Sequence, residues 1–244
     1  MKNAISIDQK TESNFKKGLK IGIPVSIGYI PIAIAFGLLA KSAQVPDIVT
    51  MMMSFMIFAG ASQFIGINLM AAGVAYWEIV FTTFLLNVRH FLMTASLSQR
   101  LPKKTSKKVL AILSFGVTDE TFSVASTQQE KELHPTFLLG LNSITFVSWN
   151  IGTWMGVFIA VGLPTSIQSS MGIALYSMFI GLLVPSLKKS KKTIVVVSIA
   201  LFVSSLFYWI VPYFIQVSSG MQIIGTTVIA ASIGALLYPK EEMK

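Results

Sequence analysis

The chain consists of long apolar runs separated by short polar links, many of them rich in lysine. A helix needs about 20 residues to cross the hydrocarbon layer of a bilayer. Only 12% of the residues are charged, whereas soluble domains carry about 25%. The sequence therefore predicts an all-α polytopic membrane protein with about seven to eight transmembrane or re-entrant helices. The runs cover residues 21–40, 49–72, 77–97, 109–125, 135–163, 169–187, 193–212 and 219–238.

Several classes of function are excluded by what the chain lacks. It has no cysteine and only two histidines, His90 and His134, so thiol chemistry and a histidine-rich metal site are ruled out. The phosphate-binding, serine-hydrolase and zinc-protease motifs are also missing, so we expect neither an enzyme nor a cofactor. The net charge of +9 comes from lysines between the apolar runs. That pattern follows the positive-inside rule and does not indicate nucleic-acid binding.

The charges of the polar links predict the side of the membrane on which each link lies, but these predictions conflict with the number of apolar runs between the links. We expect a cytoplasmic tail at residues 1–20, one transmembrane domain at 21–239 and a second tail at 240–244. The lysine-rich loops at 100–108 and 188–192 should also be cytoplasmic. An even number of crossings should then separate them, yet one triplet of runs lies between the tail and the first loop and a second triplet lies between the two loops. One run in each triplet should therefore turn back. The first run contains Pro24 and Pro31 and should be broken or kinked, and the fourth is short and acidic.

The two triplets are also faintly alike. A shift of 86 residues places Ser62 on Ser148 and Gly66 on Gly152. This similarity predicts repeat halves at 21–108 and 109–192, followed by two C-terminal helices, as in many secondary transporters. An inverted repeat of three full crossings would place the two lysine-rich loops on opposite sides, and this alternative stays open.

The sequence LLNVRH places Arg89 about 18 Å into the third apolar run. An arginine at that depth costs about 2.5–3.5 kcal/mol unless it has a partner. Of the ten acidic residues, Asp119 and Glu120 are the ones that we assign to an apolar run. One of them is expected to pair with Arg89 while the other titrates. The pair is either purely structural or has a role in coupling or in binding a substrate carboxylate.

A polar stripe occupies one face of the same predicted helix, formed by Thr83, Asn87, His90 and Thr94. Arg89 lies about 200° from Asn87 and should face another neighbour. The stripe predicts a substrate or proton path, with ordinary hydrogen bonding between helices as the alternative. Gln63 and Asn150 are further candidates for binding substrate, with helix packing as the alternative for both.

Four segments taken together, IPIAIAFGLLAKSA, FAGASQF, NVRHFLMTASL and TDETF, resemble the AzlC-type branched-chain amino acid permeases over about residues 22–155. The resemblance implies the large subunit of a two-component exporter with a small AzlD-type membrane partner. It implies leucine, isoleucine and valine as substrates, with methionine as a further candidate, and a bacterial plasma (inner) membrane. The motif residues that it singles out are Gln63, Asn87, Arg89, His90, Asp119 and Glu120.

We therefore expect a secondary transporter that exports branched-chain amino acids, driven by proton entry and assembled with a small partner subunit. Gln63, Asn87, His90 and Asn150 are predicted to bind substrate. Arg89, Asp119 and Glu120 are predicted to serve as a coupling or structural group. The alternatives are a passive channel for small molecules and a membrane scaffold that transports nothing.

Overall fold

A computed structural model describes residues 2–159 and 190–238, together with isolated residues between them. The predicted run at 169–187 lies largely outside the described residues, and the tail at 240–244 lies wholly outside them. Within the described ranges all regular structure is helical, which confirms the predicted fold class. The helices are α1 (Lys2–Ser42), α2 (Asp47–Met56), α3 (Gly60–Ala71), α4 (Tyr76–Ser98), α5 (Lys107–Phe115), α6 (Asp119–Ser126), α7 (Pro135–Ile159), α8 (Lys191–Trp209) and α9 (Ser219–Leu237), with a 3-10 turn at Val211–Tyr213.

Four stretches of this described chain are long and apolar enough to cross a membrane. They are Glu12–Ser42, Tyr76–Ser98, Lys191–Tyr213 and Ser219–Leu237. α5 and α6 would add a fifth if they formed one span, but they meet at an angle of 119°. The described chain falls into two compact units, residues 1–64 with 87–174, and residues 65–86 with 175–244.

The first apolar run forms one continuous helix and is not broken, although its prolines predict a break or a kink. α1 continues through Pro24 and Pro31, and it begins at Lys2, so the predicted tail is part of the same helix. A membrane helix tolerates proline where neighbouring helices support the freed backbone groups. α1 has such a neighbour in α7, which lies beside it.

Small residues let α1 and α7 approach closely. A β-carbon on Gly37 would lie 2.5 Å from the carbonyl oxygen of Thr153, and one on Gly152 would lie 2.7 Å from the β-carbon of Ala33. Gly18, near the start of α1, lies against Phe137, near the start of α7. The two helices therefore run parallel to each other.

The second apolar run, expected as a single span, forms a hairpin of α2 and α3. Gln63 Nε2 donates to Ser54 Oγ over 2.9 Å, although residues nine apart in a continuous helix would be about 13 Å apart. The turn between the helices contains Phe58 with a positive φ of 44°, which is unusual for a residue with a bulky side chain. The chain therefore reverses direction at residues 57–59.

The fourth run also reverses, and here the acidic run behaves as expected. Near the turn, Asn142 of α7 donates to the carbonyl of Leu113 at the end of α5 over 2.9 Å. The other end of α6 lies beside Arg100, which donates to the carbonyl of Ala125. Leu133, just before α7, donates its amide to Arg100 over 2.7 Å. α5 and α6 thus enter and leave at the end where α7 begins.

A single reversal in the first triplet would resolve the conflict between the lysine-rich links if α1 crosses the membrane. The α2–α3 hairpin turns back, and the second half of α4 runs antiparallel to α7 towards Arg100. The loop after α4 therefore lies at the same end as the start of α1, where Lys17 pairs with Glu130. The shift of 86 residues pairs Ser62, in a hairpin, with Ser148, in the middle of continuous α7, so it aligns unlike elements. The division into repeat halves stays a prediction.

In the second unit, α8 and α9 pack against each other through two glycines. Gly225 of α9 lies against Phe207, and Gly234 lies against Val196. Glu78 of α4 is only 8% exposed and accepts a short hydrogen bond from Ser218, which caps the start of α9. Glu78 also belongs to an apolar run, so the assignment of Asp119 and Glu120 alone was wrong.

Candidate functional site

The turn of the α2–α3 hairpin is held by buried polar side chains. Ser54 Oγ lies 2.7 Å from Thr153 Oγ1 of α7, and Trp149 Nε1 donates to Gln63 Oε1 over 3.1 Å. Gln63 is completely buried, and both polar atoms of its amide are bonded. In this conformation Gln63 joins α2, α3 and α7, and its burial means that a substrate could reach the amide only if the packing around it opened.

The turns of the two hairpins meet in an aromatic cluster. The ring centroid of Phe58 lies 6.2 Å from that of Phe115 and 5.2 Å from that of Phe146. Phe115 and Phe146 are 5.8 Å apart. Phe58 is buried, with 2% exposure, so this packing offsets the strain of its positive φ. Two hairpins that enter from opposite ends of α7 therefore touch near its middle.

The start of α6 carries the two acidic residues of the TDET motif. Thr118 and Thr121 form a reciprocal capping box at this helix end. Asp119 and Glu120 occupy the first turn, where the partial positive charge of the helix N-terminus stabilises carboxylates. The reversal of the chain thus places two acidic side chains at the hairpin turn.

Two residues of α4 contact this turn. Arg89 Nη1 lies 2.9 Å from Asp119 Oδ2, and the two side chains are 36% and 28% exposed. His90 Nδ1 lies 2.8 Å from the carbonyl oxygen of Val117. Arg89 and His90 therefore contact the same short segment, so the expectation that Arg89 faces a different neighbour from the stripe is wrong. Although Arg89 and the stripe begin on different sides of α4, the arginine side chain is long enough to reach the segment that His90 contacts.

Tyr29 of α1 connects the two hairpin turns, and the sequence analysis missed it. Its hydroxyl oxygen lies 2.6 Å from Thr118 Oγ1 and 2.6 Å from Glu120 Oε2. Its ring packs edge-on against Trp149 at 5.3 Å and against Phe58 at 6.4 Å. A tyrosine in an apolar run is easily taken for a residue of the hydrophobic core. Its hydroxyl could have indicated the site, because a buried hydroxyl needs a hydrogen-bond partner.

The remaining members of the predicted stripe are less closely involved. Thr83 and Thr94 donate to carbonyls of their own helix, those of Ile79 and His90, each over 2.7 Å. Asn87 Oδ1 accepts from Ser62 of α3 over 2.8 Å. The structure therefore brings Asn87 and His90 to the two hairpins and leaves both threonines bonded to α4 itself.

Asn150 lies one residue beyond Trp149 on α7. Its Nδ2 donates to the carbonyl of Phe146 over 2.9 Å. Its Oδ1 is buried and has no hydrogen-bond partner among the described residues. Of the residues predicted to bind substrate, Asn150 thus has a buried acceptor available.

Arg100 is a second residue that the sequence analysis missed, because it was assigned to a solvated cytoplasmic loop. Its guanidinium donates to the carbonyls of Ala125 and Ser126, each over 2.9 Å, and to that of Gln128 over 2.8 Å. A fourth, short bond joins it to the carbonyl of Glu130. Arg100 therefore bonds to carbonyls at the end of α6 and just beyond it, and holds the hairpin at its open end.

Beside Arg100 a cleft of about 280 Å³ is lined by residues that include Lys17, Glu132 and His134. Lys17 lies 2.5 Å from Glu130, and this hydrogen bond lowers the pKa of the Glu130 carboxyl below its ordinary value. Among the residues that the structure describes, no group of three or more histidine, cysteine, aspartate or glutamate side chains could hold a metal ion.

The comparisons with known proteins agree with the motifs at these hairpins. The family model for the AzlC protein matches residues 24–163, which is more than half of the chain. The chain belongs to the AzlC family. This match covers α1 from residue 24 onward, the whole of both hairpins and all of α7.

Relatives in the AzlC family extend the comparison. Inner membrane protein YgaZ of Escherichia coli is 31% identical over 73% of this chain and 76% of its own length. A membrane protein of Archaeoglobus fulgidus is 34% identical over 71% of this chain and 76% of its own. The branched-chain amino acid transport protein AzlC of Bacillus subtilis is 32% identical over 46% of this chain and 44% of its own. No solved structure matches the chain significantly.

Proposed function

We propose that this AzlC-family chain is a secondary transporter that exports branched-chain amino acids across the bacterial plasma membrane. The substrate class is supported by the Bacillus subtilis relative, whose name is that of a branched-chain amino acid transport protein. We further propose that proton entry drives export, that a small AzlD-type membrane subunit assembles with the chain, and that the chain has no enzymatic activity.

The observation that supports transport best is the meeting of two hairpin turns beside Tyr29. Irregular backbone at membrane depth is tolerated where it lines a cavity or is buried in protein, and transporters bind substrates at such interrupted helices. Here the interruption combines aromatic rings with a polar centre that contains Asp119 and Glu120. Apolar rings suit the side chain of leucine or valine, whereas Asn87, His90 and Asn150 offer polar contacts to its charged backbone groups.

Roles for the predicted site residues are part of the proposal. Asn87, His90 and Asn150 are the proposed contacts for substrate. Gln63 is proposed as a contact only in a conformation in which the α2–α3 turn has opened, since its side chain is otherwise completely buried. Arg89 is neutralised by Asp119, so a substrate carboxylate would compete with Asp119 for it.

Transport of labelled leucine, valine and methionine by vesicles tests the proposal, with and without a pH gradient and with and without the partner. We expect leucine and valine to move, faster with the gradient and with the partner present. Transport that ignores a proton uncoupler and saturates poorly would indicate a passive channel. No movement of any substrate in all four conditions would contradict the proposal and favour a scaffold.

A further inference from the structure

The two carboxylates at the start of α6 are in different electrostatic situations. Asp119 is paired with Arg89 at 2.9 Å. Glu120 forms no ion pair with any residue that the structure describes, and the hydrogen bond we find to its carboxylate comes from the Tyr29 hydroxyl. An ion at membrane depth without a counterion is costly and readily takes up a proton or a cation.

Hydrogen bonds around Glu120 have a fixed direction. An ionised carboxylate can only accept, so Tyr29 donates to Glu120 and its oxygen must accept the hydrogen of Thr118 Oγ1. Thr118 Oγ1 in turn accepts from the backbone amide of Thr121 over 3.2 Å. The bonds form a chain in which each hydroxyl polarises the next, and the chain ends on the charge of Glu120.

Protonation of Glu120 would weaken this chain at its end. A hydrogen bond to an ionised acceptor is about twice as strong as one between neutral groups. The weakened bond is one of the two that tie the turn of the α5–α6 hairpin to Tyr29 of α1. Because the Tyr29 ring also packs on Phe58, a change at Glu120 reaches the turn of the α2–α3 hairpin as well.

We propose that Glu120 is the carboxylate that carries the coupling proton, and that Tyr29 is a positioning residue that links its charge to both hairpins. This inference rests on the proposed function. The other titratable or charged groups at this junction are Asp119 on α6, Arg89 and His90 on α4, and Tyr29 itself on α1, while α7 contributes Trp149, which does not titrate. No bond is made or broken except that of the proton, which Glu120 receives from one side of the membrane and releases to the other.

The test uses the full-length chain, with its partner if transport needs it, in liposomes that contain leucine. Two measurements are made: transport driven by a pH gradient, and exchange of labelled for unlabelled leucine at equal pH on both sides. We expect Glu120→Gln to lose the response to the gradient and to keep exchange. Glu132→Gln, which removes an exposed carboxylate outside the hairpins, should behave like the wild type in both measurements.

Tyr29→Phe provides the second variant, because it removes the hydroxyl and keeps the ring. Without this donor the carboxylate form of Glu120 is less stable, so the midpoint of the pH profile of transport should move upward by about one pH unit. A merely structural role would change stability and leave that midpoint in place. If Glu120→Gln does not fold, the Tyr29→Phe profile decides.

The inference is overturned if Glu120→Gln keeps the wild-type response to the gradient, or if the profile of Tyr29→Phe superimposes on that of the wild type. A wild-type chain that transports leucine without any dependence on pH would also overturn it, while leaving the substrate assignment intact. A wild-type chain that transports no amino acid at all would contradict the proposed function itself, and the inference with it.

Discussion

Removal of either member of the Arg89–Asp119 pair should destabilise the protein. Loss of one partner from a fully buried ion pair costs about 3–5 kcal/mol, because the other charge stays buried without compensation. Here the side chains are 36% and 28% exposed, and solvent screening reduces the cost. We therefore expect Arg89→Gln and Asp119→Asn each to lower the free energy of unfolding by about 2 kcal/mol.

The double variant separates the pair from its surroundings. Because it leaves no uncompensated charge, its cost should be smaller than the sum of the single costs, with a coupling of about 1–2 kcal/mol. The assay is reversible unfolding of the purified protein in mixed detergent micelles, followed by transport in vesicles with the same three variants. Single costs that add in the double variant would refute the view that the two charges stabilise each other.

Transport by the double variant also decides between the two roles left open for the pair. If the pair is only structural, transport should return together with stability when both charges are removed. If either residue acts in coupling or binds substrate, transport should stay low although the protein is again stable.

Three further substitutions probe the packing of the hairpins and of α1 against α7. Arg100→Gln should lower the free energy of unfolding by about 2–3 kcal/mol through the loss of its carbonyl contacts. The control Lys103→Gln, an equal loss of charge in the same loop, should change that free energy by no more than about 0.5 kcal/mol. Equal effects of the two substitutions would argue against a role of Arg100 in holding the end of α6. Gly37→Val should lower the free energy of unfolding by about 1–3 kcal/mol by separating α1 from α7. Thermal unfolding should show no such loss of stability for Gly28→Ala, because no described atom lies within 4 Å of the added carbon. Gln63→Leu should cost about 1–3 kcal/mol because it leaves buried partners unsatisfied, and a variant as stable as the wild type would contradict the bonded role of its amide.

Some features of the fold were accessible from sequence because they depend on local composition. Apolar runs of membrane length predicted the helical class, and an arginine at membrane depth required an acidic partner from another run. That reasoning led to the TDET segment, where Asp119 lies. It overlooked Glu78, which lies at the start of the third apolar run and is buried beside Ser218.

Other features depend on tertiary contacts that no local pattern contains. Pro24 and Pro31 suggested a break in α1, yet the helix continues beside α7. The break occurs at Phe58, in a run without proline, where aromatic rings from α5 and α7 stabilise an unfavourable backbone conformation. Tyr29 and Arg100 were missed for a related reason, since their partners come from segments 25 or more residues away.

The sidedness of the loops around the α5–α6 hairpin tests the re-entrant geometry most directly. The natural chain contains no cysteine, so single variants Lys104→Cys and Gln129→Cys can be labelled with a membrane-impermeant thiol reagent in right-side-out and inverted vesicles. Ser42→Cys, at the far end of α1, serves as the marker of the opposite face. We expect positions 104 and 129 to be labelled from one and the same face, and position 42 from the other. Labelling of 104 and 129 from opposite faces would mean that α5 and α6 cross the membrane, and it would contradict the meeting of two hairpin turns on which the proposed transport site depends.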